Sequence, residues 1–399
     1  MIPGESALWA EVDLGRVRRN VANLKRLLAP GCRLLAVVKA NGYGHGDAQV
    51  AAAAIDAGAG WLAVARVQEA KSLREAGIDA PVLLLAEPHQ SAVSEAVKLG
   101  LTPTIYTSTT AKAFAEAAAH AAKLVKAHIK IDTGMHRYGV QPEDAISFFD
   151  EVASLPGIEV EGVWSHFAVA EDVLNPFTKQ QFTKFMDVLD DLGSRTDGLI
   201  KHMANSAATM TFPEAHLDMV RAGIAVYGIH PSVDLEDRGG FGGSSSPPRR
   251  VAAYARSCDP PEIRVELEPA MAFKSRVGMV KRLPAGEAVS YGQRYTLERD
   301  ANVATIPCGY ADGLSRALTN QGEALIRGRR YVISGTITMD HFLVDVGDDE
   351  VERGDEVVIL GEQGAEKITA HEIARRLGTI PYEVVCGIGT RVPRVYLEP

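Results

Sequence analysis

Residues 33–64 read RLLAVVKANGYGHGDAQVAAAAIDAGAGWLAV. An apolar run of strand length, a lysine, a glycine-punctuated turn, an Ala-rich stretch of helical period and a second apolar run follow in order. This is the pattern of a parallel βα unit. The alternation continues along the chain and predicts strands at 33–38, 61–64, 81–85, 102–105, 126–131, 158–164, 199–202 and 218–221. Eight βα units close into a barrel more readily than into an open sheet, and residues 10–235 have the length of a (β/α)8 barrel. An open doubly wound sheet is the structural alternative.

Beyond the barrel the composition changes. Residues 236–264 include GGFGGSSSPPRR and the turn-rich SCDPPE, which read as a linker or surface insertion. From 265 to 399 come alternating segments with turn punctuation, AFKSRVGMVKRL, NVATIPCG, YVISGTITMD, FLVDVG and DEVVILG, and one clear helix at 370–377. A mainly β C-terminal domain is expected there, with residues 1–9 associated.

At 399 residues the chain is too long for one ordinary core, and at 46% hydrophobic residues it is too apolar for disorder. A formal charge of −9 with scattered Lys and Arg offers no basic surface to nucleic acid, so a small-molecule substrate is expected. The opening MIPGESALWAEV has neither a basic region nor an apolar core of a signal peptide. No apolar run approaches the roughly 18 residues of a membrane span, and a cytoplasmic location is expected. Cys32, Cys258, Cys308 and Cys386 are far apart with no zinc-ligand spacing, which suits reduced thiols.

In a barrel of this kind reacting groups sit at the C-terminal ends of the strands. Those positions are polar here: Lys39 after the first strand, Lys130 and Asp132 after the fifth, His166 after the sixth, Asn205 and Ser206 after the seventh and Arg221 at the eighth. Each alone reads more naturally as a solvated loop charge or a satisfied core polar group; their gathering on one rim points to a site. Lys39 leaves an apolar strand whose burial favours the free amine needed for Schiff-base chemistry. The last two loops, HMANSAAT and RAGIAVYG, are where barrels hold phosphate. Ser206 offers a hydroxyl there, and Gly223 and Ile224 offer backbone amides. A reactive lysine, a phosphate cradle and a deep arginine together suggest pyridoxal phosphate, with Arg221 facing its pyridine nitrogen.

AVVKANGYGHG resembles the cofactor-lysine motif of the alanine racemases, and DTGMHRYG, WSHFA, HMANSAA, VRAGIAVYGIHP, VSYGQRYT, PCGYADG, TMD and IPYEVVCGI follow in that family's order. The resemblance covers nearly the whole chain outside residues 232–262. It implies that Lys39 carries the cofactor and acts on one face of the substrate, with Tyr291 of the partner subunit as acid/base on the other. Two such groups suit a racemase, because a single group on one face returns its proton to the same side. The resemblance also implies phosphate contacts from Tyr43, Ser206, Gly223, Ile224 and Tyr382, and Arg221 at the ring nitrogen supported by His166. Arg137 would bind the substrate carboxylate, Met339 with Asp340 would approach it from the partner subunit, and Lys130 corresponds to a position the family can carry as a carbamate. The implied assembly is a homodimer with shared sites, and the implied product, D-alanine, serves bacterial cell-wall peptide. His45 and Asp312 match the family pattern without an assigned role.

Gly42 stands where the family often has alanine, Thr338 where it often has cysteine, and the 232–262 stretch is longer than usual. These departures bear on pocket shape and loop order; no reacting group is lost. The rival readings are a serine or broad-specificity racemase, separated by pocket width, a barrel-type amino-acid decarboxylase, and a non-catalytic pyridoxal-phosphate protein. A decarboxylase typically has an acidic residue where Arg221 stands, and the non-catalytic relative lacks the β domain that carries Tyr291.

Overall fold

The structure, a computed structural model, describes residues 6–232 and 265–398. The linker expected at 236–264 lies outside the described residues. The chain forms two compact units, one from the described residues up to Arg16 with Tyr43–Gly46 and those from Pro269 onward, the other from those within Val17–Gly42 and Asp47–Glu268.

Strand β1 (Leu8–Asp13) belongs to the first unit. The second unit contains β2 (Arg33–Val37), β3 (Trp61–Val64), β4 (Val82–Leu84), β5 (Thr102–Ile105), β6 (Val125–Lys130), β7 (Ile158–Trp164), β8 (Ile200–His202) and β9 (Met219–Ala222). These eight form one sheet in the order β8-β7-β6-β5-β4-β3-β2-β9, with every pairing parallel. Between the two end strands the Asp218 N–H donates to the Lys201 carbonyl at 3.0 Å and the Arg221 N–H to that of Ala204 at 2.9 Å, so the ring is nearly closed. All eight strands lie within a residue or so of the expected segments, and the open-sheet alternative falls. Helices cover the outside, so β3 and β4 are buried along their whole length and read as continuous apolar runs. Each fully buried Leu or Val, such as Leu35, Leu62 and Val82, contributes about 1.5–3 kcal/mol of burial free energy.

One glycine lets the barrel accept polar contents. A Cβ on Gly162 in β7 would meet the Ile200 carbonyl at 2.7 Å and the His128 ring at 2.8 Å. The β6–β7 register shifts beside it, between Ala127 and His128.

The first unit is mainly β, as expected. Its strands are β1, β10 (Met271–Arg276), β11 (Met279–Leu283), β12 (Ala288–Val289), β13 (Tyr295–Thr296), β14 (Ala301–Ile306), β15 (Glu323–Ile326), β16 (Arg329–Val332), β17 (Phe342–Gly347), β18 (Glu356–Gln363), β19 (Glu366–Ile368) and β20 (Arg394–Leu397). The largest sheet runs β16-β15-β18-β10-β1-β20 with β19 on β18, beside a three-stranded sheet β11-β14-β17 and the ribbon β12-β13. Residues 10–13, read above with the barrel, are strand residues of this sheet, with β1 antiparallel to β10 and parallel to β20. Along β10 every second residue is buried, the alternation of a strand with one covered face. Beyond the expected helix, Ala370–Leu377, a second one spans Pro381–Cys386 and carries Tyr382.

Candidate active site

The chain leaves β2 at Val37, and two residues later Lys39 begins a turn of the wrong hand. Ala40 (φ 53°, ψ 49°), Asn41 (φ 53°, ψ 50°), Gly42 (φ 58°, ψ 46°) and Tyr43 (φ 50°) are successively left-handed. For L-residues other than glycine this costs about 1–2 kcal/mol each, so it persists only where neighbours fix it. Glu69 is one such neighbour. Its carboxylate accepts the Ala40 amide at 2.7 Å and, from the end of β3, the amides of Ala65 at 2.8 Å and Arg66 at 3.0 Å. Asn41 Oδ1 accepts from the Asp47 amide at 3.2 Å.

At the C-terminal ends of the other barrel strands lie Lys130, His166, Ser206 and Arg221. Arg221 is 3% exposed and lies within β9 rather than beyond it. Its Nη1 donates to His202 Nδ1 at 2.7 Å, and its Nη2 shares two hydrogens among the carbonyls of Ser165 at 2.8 Å and Met203 at 3.0 Å and His166 Nδ1 at 3.0 Å. Because a guanidinium only donates, both Nδ1 atoms are acceptors and each ring carries its hydrogen on Nε2. Burial first, then the Arg137 charge, pull the Arg221 pKa below the usual arginine value, but four acceptors keep it a cation. Its Nε has no acceptor among the described residues.

Burial, and next the charges of Arg221, Lys130, Arg137 and Lys39, hold His166 neutral. Lys130, 2% exposed, lies 4.5 Å from the centre of the Trp164 ring. Arg137 is exposed on a loop pinned by Asp132, whose Oδ1 accepts the amides of Gly134 and His136, both at 3.0 Å. Ser206 Oγ accepts the amides of Gly223 at 2.8 Å and Ala225 at 3.4 Å, so the hydroxyl's own proton is left to donate. Ile224 follows at the start of a short 3-10 turn. Four basic groups, Lys39, Lys130, Arg137 and Arg221, lie within electrostatic reach of one another with Asp132 the acid among them, and this excess favours anions.

The other predicted residues belong to the first unit. Tyr43 and Tyr382 have ring centres 6.0 Å apart, held by the close approach of Gly44, where a Cβ would lie 2.4 Å from the Val385 carbonyl oxygen. Burial, then Tyr382 and Cys386, push the Tyr43 phenol far above its ordinary pKa, so it is a hydrogen-bond donor. Tyr291 is 74% exposed and Met339 52%. Both line an open concavity of about 460 Å³ with Tyr310, Arg316 and Asp340. Behind it, Arg391 joins the buried Asp312 at 2.9 Å to Asp340 at 2.8 Å, which gives Asp312 a structural use. His45 Nδ1 lies 3.0 Å from the Tyr43 carbonyl oxygen.

Residues 12–231 match the family described as "Alanine racemase, N-terminal domain" and residues 270–396 the one described as "Alanine racemase, C-terminal domain". The chain belongs to the alanine racemase family. The alanine racemase of Symbiobacterium thermophilum is 44% identical over 397 residues, covering 99% of this chain and 98% of that one. Among solved alanine racemases, that of Clostridium difficile superposes with a TM-score of 0.87 at 38% identity, covering 98% of this chain and 96% of its own. The Bacillus anthracis alanine racemase "with bound L-Ala-P" gives 0.87 at 33% identity, covering 99% and 96%. Two participants at the alanine racemase rim escaped the sequence reading: Glu69 and His202. Glu69 has a faint signal as the third residue of a helix starting at Val67, whereas His202 stood in a quoted motif without a partner to give it meaning.

Proposed function

We infer that this chain is an alanine racemase, a pyridoxal-phosphate-dependent isomerase that interconverts L- and D-alanine. The observation that carries the site assignment is the convergence of Lys39, Lys130, Arg137 and Arg221 around a neutral His166. The donor set fits the cofactor: a lysine amine for its aldehyde, the Ser206 hydroxyl with the Gly223 and Ile224 segment for its phosphate, and a donor-only Arg221 for its ring nitrogen. When bound, pyridoxal phosphate condenses with an amine and takes up electron density from the substrate Cα.

The protein's own residues supply the rest. Lys39 moves the Cα proton on one face, and Tyr291 of the partner subunit does so on the other. Arg137 pairs with the substrate carboxylate in a two-pronged contact, and the partner subunit's Met339 bounds that end of the pocket. Arg221 would hold the ring nitrogen by a hydrogen bond without giving up its proton, which would favour reprotonation at Cα over transamination. Tyr43 and Tyr382 add phosphate contacts. Lys130, as a carbamate, becomes an anion that holds Arg137. The exposure of Tyr291 and Met339 supports a homodimer in which each subunit completes the other's site. Among the described residues no helix is long and apolar enough to cross a membrane. We place the enzyme in the cytoplasm, supplying D-alanine for cell-wall peptide.

The test is a panel of L-amino acids assayed for the D-enantiomer by chiral chromatography. D-alanine alone is the expected product. Comparable D-serine would make this a broad-specificity racemase, and an amine with carbon dioxide would make it a decarboxylase.

A further inference from the structure

The Arg221–His202 contact is the end of a longer polar string through the barrel. His202 Nε2 lies 2.8 Å from His128 Nδ1. His128 Nε2 faces Glu161 Oε2 at 3.6 Å, and neither atom has a nearer partner among the described residues. Glu161 Oε1 accepts from Lys126 at 3.0 Å. Both histidines are 0% exposed, while the Lys126 side chain is 52% exposed. The string thus runs from solvent, near the start of β6, through the barrel interior to the rim that holds Lys39.

Every link has one permitted direction. Arg221 can only donate, so His202 Nδ1 accepts and its hydrogen is on Nε2. That hydrogen goes to His128 Nδ1, which places the His128 hydrogen on Nε2, towards the Glu161 carboxylate. A carboxylate only accepts, so both ends of the string demand the same orientation. Both rings are pushed towards the neutral form: burial is the largest influence on each, the Arg221 charge adds to it, and at His128 the Glu161 carboxylate works against it without overturning the direction. A neutral imidazole has two tautomers of similar energy, and partners select between them. Trp164 fixes the His202 plane, stacked at 9° with ring centres 5.5 Å apart.

We propose that His128 and Glu161 are positioning residues of the racemase site, locking His202 in the tautomer that accepts from Arg221 and so holding the Arg221 guanidinium in one orientation. The effect on turnover rests on the reading that Arg221 faces the cofactor ring. With the other tautomer, His202 would point an N–H at the guanidinium, and Arg221 would turn away.

The experiment is nitrogen NMR of the 15N-histidine-labelled holoenzyme, combined with steady-state kinetics. In the wild type, His202 should show a bare Nδ1 and a protonated Nε2; a protonated Nδ1 there overturns the proposal without any variant. Glu161→Leu should give mixed His202 tautomers and lower kcat by about three- to tenfold, the rate equivalent of one hydrogen bond, with KM for alanine unchanged. Glu161→Gln, which keeps an accepting oxygen, should restore both. A folded Glu161→Leu holoenzyme with an unchanged tautomer refutes the string. A mixed tautomer at unchanged kcat also refutes the proposal, and locates the fault in the assignment of Arg221 to the ring.

Discussion

Lys130 Nζ stands 4.5 Å from the centre of the Trp164 ring, on a side chain that water scarcely reaches. Burial first, and the charges of Arg137 and Arg221 next, bring its pKa from the ordinary 10.5 down to about 7. Between these values the unfolded chain binds a proton that the folded protein does not, so stability rises with pH across that window. In bicarbonate-free buffer, denaturant unfolding at pH 7.5 and 9.5 should show this rise, and Lys130→Met should flatten it. Equal slopes would remove the pKa argument. A neutral amine is also the form that adds carbon dioxide, so 13C-bicarbonate should give a carbamate resonance that Lys130→Met lacks.

Borohydride reduction of the holoenzyme followed by peptide mapping should place the pyridoxyl group on Lys39, and Lys39→Ala should lose the lysine-linked absorbance. Label on Lys130 or Lys201 instead would reassign the site.

Arg221→Glu replaces a group that keeps its proton with one that can pass it to the ring. Racemisation should slow by about 10²-fold or more, while transamination rises and alanine elicits a new visible band. Slower racemisation with neither change would reduce Arg221 to a steric support.

The cross-subunit site has a numerical signature. Lys39→Ala and Tyr291→Phe, each nearly inactive, can be co-expressed. With random assortment about half the dimers are hybrids, each with one complete site of two, so activity should reach about a quarter of wild type. Hybrids verified by mass spectrometry yet inactive would exclude the shared arrangement.

Gly162→Ala forces a methyl group against the Ile200 carbonyl and the His128 ring. The expected cost is about 1–3 kcal/mol of overpacking, read as a lower midpoint in urea with an unchanged slope. A neutral result would mean that β7 can move away from β8 freely.

The barrel was legible because its early strands, such as β3 and β4, are continuous apolar runs closely bounded by turn residues, and the rim followed because polar residues ended the strands. The β unit was harder. FLVDVG and DEVVILG stood out as β17 and β18, but β1 and β20 pair residues as distant as Ala10 and Arg394. No local pattern carries that information. His128 and Glu161 read as ordinary strand residues until the fold supplied their partners. The turn after Lys39 was half visible: GYGHG promises glycine conformations and Asn41 tolerates a left-handed backbone, yet nothing in Ala40 announces one.

That turn bears on when the enzyme becomes reactive. A short peptide containing KANGYG would relax to ordinary geometry, because it lacks the carboxylate of Glu69, which also holds the amides of Ala65 and Arg66. During synthesis, Lys39 emerges from the ribosome some thirty residues before its tether. The nascent lysine is therefore only one amine among many, and the presentation to an aldehyde that we propose for it waits until Glu69 has reached the turn.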